Sequence, residues 1–196
     1  MTEPWQLGRE ITPFGGDSTY QVFRSVKDPK CGAKGDGVTD DTAAINLAIS
    51  DGNRCGSGCN SSTMKGALLY FPAGTYLVSG SIISYYNTQL VGNPNSIPTL
   101  KASATFVGLG VIDTDYYIPG GNGAKWYINQ ESIYRQIRNF NIDISATTAY
   151  AVCGIHYQVA QATSLYNIGF IQSSAAGTTQ QGICKNALSV CVMGGM

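Results

Sequence analysis

From residue 67 onward, the apolar positions fall in short runs rich in valine, isoleucine and tyrosine, and glycine, proline, asparagine and aspartate bound them. The runs predict strands at Ala67–Phe71, Thr75–Val78, Ser81–Ser84, Thr88–Val91, Pro98–Ala102, Val107–Asp113, Ile133–Ile144, Gly154–Val159 and Ser164–Ile171. One segment has a different period. Ala44, Ile45, Ala48 and Ile49 recur at helical spacing, which predicts a helix over about 40–51. Thr39 suits its N-cap, and Asp40 and Asp41 would sit in a first turn whose dipole favours negative charge. Gly32, Gly35 and Gly37 just upstream allow a tight turn. Residues 1–30 read as an extended lead-in, with a first strand at Tyr20–Phe23.

Strands without intervening helices do not build a doubly wound sheet. The breaks (Pro72-Ala73-Gly74, Gly92-Asn93-Pro94) look more like corners than two-residue hairpin turns. Coils of roughly 20–25 residues, as in a parallel β-helix, fit the spacing loosely. A sandwich or a barrel stays open on pattern alone.

Composition narrows the function more than the fold. Charged residues make up only 12% of the 196, and twelve basic and twelve acidic residues cancel. A nucleic-acid or membrane-surface binder needs a basic patch, so neither partner is expected. No run approaches the roughly 20 apolar residues of a membrane span. Met1-Thr2-Glu3-Pro4 lacks the basic start and apolar core of a signal peptide.

Six cysteines are present. Cys55 and Cys59, in Arg-Cys-Gly-Ser-Gly-Cys, suit a small local disulfide in an oxidising compartment. A metal pair is the alternative, but the chain has a single histidine and no second ligand pair at suitable spacing, so no metal is expected. Asn60-Ser61-Ser62 is a glycosylation sequon.

The string GAKGDGVTDDTAAINLAI (32–49) resembles the N-terminal cap of the pectate lyase-like right-handed β-helix superfamily, and YFPAGTYLVS (70–79) resembles its first-coil strand. TQLVGNPNSIPTLKAS (88–103), IRNFNIDIS (137–145) and GIHYQVAQATSLYNIGFIQSS (154–174) resemble glycoside hydrolase family 55. The resemblance covers residues 17–183. It implies an all-β fold, a single-stranded right-handed parallel β-helix with a short N-terminal capping helix, here truncated. The domain would occupy 31–183. Family 55 members are secreted β-1,3-glucanases with two tandem β-helix domains and a cleft between them. They hydrolyse β-1,3-glucan with inversion, which needs a carboxylic acid on the leaving oxygen and an activated water opposite. That acid is a glutamate on the second domain, which this chain would lack.

After QQGI (180–183) the family pattern stops and CKNALSVCVMGGM (184–196) follows. This tail reads as a misread intron, a frameshift or a truncated gene. The resemblance therefore implies an extracellular parent protein, β-1,3-glucan as partner, no cofactor, and no glucan hydrolysis by this chain alone. A non-catalytic polysaccharide-binding module and a pectin-directed lyase or polygalacturonase are the alternatives. The last would need clustered cations for uronates, and Lys101, Lys125 and Arg135 form no evident cluster.

The resemblance assigns substrate holding and water orientation to glutamines, and Gln158 and Gln161 are the candidates; an amide ladder along the β-helix is the alternative. Trp126 and Tyr127 follow a glycine-rich loop (119–123) that could project them over a cleft, with Gln130 adding hydrogen bonds. Core packing of Trp126 is the alternative and is slightly favoured, and Tyr85-Tyr86 is similarly ambiguous. His156 is read either as structural or as a sugar contact. Asp113 and Asp115 are read as solvated strand-end residues, Asp143 as capping a coil turn, and Asp36, Asp40 and Asp41 as helix-capping groups.

Overall fold

The computed structural model describes residues 19–59, 62, 64–127, 132–147, 152–159 and 161–184. Its elements are β1 (Phe23–Ser25), β2 (Asp36–Asp40), α1 (Thr42–Ser50), β3 (Ala67–Phe71), β4 (Thr75–Ile83), β5 (Thr88–Gly92), β6 (Thr99–Asp113), β7 (Arg135–Asp143), β8 (Cys153–His156), β9 (Ser164–Ile171) and β10 (Gln181–Cys184).

Every paired strand runs parallel to its neighbour. Parallel pairing without hairpins forces the chain to travel around a circuit before it meets itself. Three faces result. The first stacks β1, β3, β5 and the opening residues of β7 and β9. The second stacks β2, the first halves of β4 and β6, and the closing residues of β7 and β9. The third stacks the second halves of β4 and β6 with β8 and β10. This is a right-handed parallel β-helix, the hand that parallel crossovers favour.

Burial alternates along the strands, because successive side chains point to opposite faces. β3 and β5 bury every second residue. In register, Leu69, Leu90 and Ile137 form one interior column, and Tyr76, Leu100, Ile142 and Phe170 another. Phe140 packs edge-on against Phe71 at 5.0 Å, and Phe71 against Tyr76 at 5.5 Å. Each fully buried side chain of this size contributes about 1.5–3 kcal/mol.

The corner between the first and second faces is also in register. Asn139 and Asn167 both adopt positive φ, 61° and 53°. Asn167 Nδ2 donates to Asn139 Oδ1 at 3.0 Å, and Asn139 Nδ2 donates to the Gly92 carbonyl at 3.3 Å. A Cβ on Gly92 would lie 1.8 Å from the Asn139 carbonyl, so only glycine fits there.

α1 covers the start of the third face. It buries Ile45, Ala48 and Ile49. Asn46 Nδ2 donates to the Ser81 carbonyl at 3.0 Å, while its Oδ1 accepts from Ile83 N at 2.9 Å. One side-chain amide thus imitates a neighbouring strand along β4 and blunts its edge.

Three details differ from the sequence expectations. The helix begins after Asp41, not Thr39, because Thr39 N and Oγ1 both donate to the Asp36 carboxylate. Asp41 instead accepts from Lys34 N at 2.7 Å and Gly35 N at 2.9 Å, which fixes the glycine turn. The first strand is Phe23–Ser25, because Tyr20 is buried with its hydroxyl donating to the Lys65 carbonyl at 2.6 Å.

Candidate functional site

The candidate residues gather at the edge where the third face passes to the first. Here β6 ends at Asp113, and the chain makes an excursion before β7 begins at Arg135. Part of it is a small hairpin. Tyr117 and Lys125 form an antiparallel bridge, and Trp126 N donates to the Tyr116 carbonyl at 3.0 Å.

Beneath this hairpin lies a buried polar cluster. β6 and β8 align Asp113 with His156, 43 positions apart, and Asp113 Oδ1 meets His156 Nδ1 at 2.8 Å. Tyr117 stacks on the imidazole at 5.8 Å. The Asp113 carboxylate also accepts from Asp115 N at 3.0 Å. Asp115 pairs with Lys125 at 3.4 Å and accepts from Tyr127 N at 3.4 Å. Burial pushes the Asp115 carboxyl above its ordinary range, against the pull of Lys125.

Arg135 is fully buried beside the cluster. Its guanidinium lies 4.8 Å from the Tyr127 ring centroid and donates to the Ser84 and Ile133 carbonyls at 3.2 and 3.3 Å. Burial lowers its pKa. Asp113 and Asp115 were expected at a solvated strand end; both are buried, because the hairpin folds over them.

Tyr127, expected over a cleft, is 2% exposed. Its hydroxyl donates to the Cys55 carbonyl at 2.6 Å and accepts from Tyr86 N at 3.2 Å, clasping the cysteine loop to the corner. Trp126 is half-buried, edge-on to Tyr85 at 5.3 Å and to Tyr116 at 5.6 Å. His156 is buried, and its Nε2 has no hydrogen-bond partner among the described residues. With Nδ1 facing a carboxylate, the ring is held in one orientation.

Gln158 is also buried. Its backbone N donates to Thr114 Oγ1 at 2.9 Å, and its carbonyl accepts from Ser132 Oγ at 2.7 Å. Gln161 is exposed, with its carbonyl accepting from Tyr134 N at 3.3 Å. Tyr134 is 42% exposed and edge-on to Tyr86 at 6.2 Å. Gln161, Tyr134 and the rim of Trp126 therefore present surface, and the other described candidates support it from below. Gln130 and Asn60 lie outside the described residues.

Cys55 and Cys59 form a disulfide, and so do Cys153 and Cys184. The second pair had no sequence signal. It depends on β8 and β10 lying side by side, with His156 opposite Cys184. No group of three or more metal-ligating side chains occurs among the described residues.

Each described aspartate is engaged. Asp28 accepts from Ser25 N, and Asp36 from Val38 and Thr39. Asp40 accepts from Thr42 and Ser79, and Asp51 pairs with Lys30. Asp143 Oδ1 accepts from Ser145 N at 2.9 Å, closing a coil turn. The chain's three glutamates, Glu3, Glu10 and Glu131, lie outside the described residues.

A parallel β-helix of stacked coils with an amide- and aromatic-rimmed corner defines a pectate lyase-like protein. The chain belongs to the rhamnogalacturonase A/epimerase, pectate lyase-like family, whose model matches residues 23–194. It is 61% identical over 176 residues to the non-secreted LysM effector LysM19 of Penicillium expansum, covering 89% of this chain and 14% of that protein. It is 52% identical over 174 residues to a probable glucan endo-1,3-beta-glucosidase of Arthroderma benhamiae, covering 88% and 19%. It is 43% identical over 180 residues to a glucan 1,3-beta-glucosidase of Cochliobolus carbonum, covering 90% and 22%. The chain thus spans about a fifth or less of the length of these relatives. The A-module of the Azotobacter vinelandii mannuronan C-5 epimerase AlgE6 shares the fold, with a TM-score of 0.53 at 20% identity over 82% of this chain and 41% of that one.

Proposed function

We propose that this chain is the β-helix domain with which a secreted β-1,3-glucanase of the family 55 type holds its glucan, the catalytic acid being supplied by a further domain. The observation that carries this reading is the identity of 43–52%, over about nine-tenths of the chain, to proteins named as a probable glucan endo-1,3-beta-glucosidase and a glucan 1,3-beta-glucosidase. The state of the carboxylates supports it. Inverting hydrolysis needs a protonated acid free to reach the leaving oxygen. Every described aspartate is tied to backbone, hydroxyl or ammonium groups of its own chain. The two disulfides support folding in an oxidising compartment.

A non-catalytic polysaccharide-binding module is the second reading, favoured by the neutral amide and aromatic rim of Gln161, Tyr134 and Trp126. A uronate substrate fits less well. Arg135 is buried, and Lys125 is committed to Asp115.

The test is laminarin and polygalacturonate binding by the purified chain, with released sugar measured in parallel. Saturable laminarin binding without glucose release is expected. Laminarin turnover that disappears on changing a residue within 1–196 would overturn the division of labour between domains.

A further inference from the structure

The outward side of the first face carries two rows that the corner site does not use. Strand register places Leu68, Gln89, Gln136 and Ser164 in one row. It places Tyr70, Val91, Arg138 and Tyr166 in the next. Their neighbours Leu69, Leu90 and Ile137 fill the interior, so these side chains point away from it.

The rows are polar and aromatic in an ordered way. Phe23 stacks on Tyr70 at 6.3 Å with the rings inclined by 29°. Arg138 Nη2 donates to Gln89 Oε1 at 3.2 Å, which links two coils and fixes the amide. Tyr166 is 71% exposed at the end of its row. Successive strands stand about 4.8 Å apart, so the side chains of Gln89 and Gln136 lie one strand spacing from each other on adjacent coils.

Charge narrows the occupant. The two rows hold one cation, Arg138, already bonded to a neutral amide, and no carboxylate. An acidic glycan would meet a single guanidinium, and a protein partner would meet few charges to fix its orientation. Aromatic faces suit sugar C–H groups and amides suit hydroxyls.

We propose that this face binds one strand of an uncharged β-linked glucan lying across the coils, away from the corner that holds the reacting end. The placement rests on the glucan reading above, and the experiment separates the two. Laminarin and polygalacturonate affinities are measured for the wild-type chain, for Tyr166→Ala, for Gln136→Ala and for Gln161→Ala at the corner. Circular dichroism and Tm of each variant establish that it is folded. Tyr166→Ala and Gln136→Ala are each expected to weaken laminarin binding about tenfold, which corresponds to about 1.4 kcal/mol. Laminarin binding unchanged in folded Tyr166→Ala and Gln136→Ala, but lost in Gln161→Ala, overturns the face and leaves the glucan reading standing. A wild-type chain that binds polygalacturonate and not laminarin overturns both.

Discussion

Ile137 and Arg135 lie two residues apart on β7, and both point into the solenoid, yet they are held by different physics. Ile137 continues the column of Leu69 and Leu90, where each coil repeats the residue type below it. Arg135 continues a column whose previous member is Thr88, and its guanidinium donates from Nε and Nη1 to the Ser84 and Ile133 carbonyls and lies against the face of Tyr127, while Nη2 has no hydrogen-bond partner among the described residues. The column is stabilised by apolar area, which asks only for the right volume at the right period. The corner is stabilised by hydrogen bonds among buried polar groups, where one missing partner costs about 1–3 kcal/mol. The straight faces therefore tolerate conservative exchange, and the corner does not.

Truncating the apolar interior should hurt most. Phe140→Ala removes the ring that packs on Phe71 and is expected to cost about 3–5 kcal/mol, read from urea unfolding. The disulfides offer a graded version of the contrast. Cys153→Ser opens a link across 31 positions on the third face, and Cys55→Ser opens one across 4 positions at the corner loop. The chain-entropy account gives roughly 3–4 kcal/mol for the first and about 2 for the second. Equal shifts in denaturation midpoint for the two variants would show that the corner clasp through Tyr127 matters as much as loop length.

Arg135→Met keeps the volume and removes the bonds. It is expected to cost about 1–3 kcal/mol, because the Ser84 and Ile133 carbonyls lose a donor while a costly buried cation is relieved. A variant as stable as the wild type would show that the corner needs only filling.

The smallest effects concern pH, and they carry opposite signs. The amides of Thr39 and Val38, with the Thr39 hydroxyl, hold the exposed Asp36 carboxyl down to about 2. Its contribution is present above the unfolded value of about 4 and is lost as pH falls toward 2. Burial raises the Asp115 carboxyl. Its contribution is full below about pH 4 and is lost as pH rises through the raised value. Tm measured from acid to neutral pH should therefore show a shallower acid decline in Asp36→Asn, and a smaller loss on the rising side in Asp115→Asn.

The straight faces were readable because their signal is local. Ala67–Phe71 is a short apolar run closed by Pro72-Ala73-Gly74, and β3 occupies those residues. The runs 98–102 and 107–113 were read as two strands and proved to be one continuous element, β6, whose halves pair on different faces. The corner was hidden because its signal is not local. Asp113 finds His156 only through the register of β6 and β8, and Cys153 finds Cys184 only through β8 and β10. Trp126 and Tyr127 are adjacent in sequence, but only the tertiary clasp to Cys55 decides that Tyr127 is interior and Trp126 reaches the rim. No periodicity distinguishes them.

The asparagine corner has a consequence for how such a molecule can grow. Asn167 grips Asn139, and Asn139 grips Gly92, so each bend is copied from the one beneath it. The solenoid is therefore a screw thread. A whole turn can be gained or removed while the remaining bends stay aligned, because each coil contacts mainly its neighbours. A single residue inserted within a turn breaks that alignment, since it rotates everything wound after it.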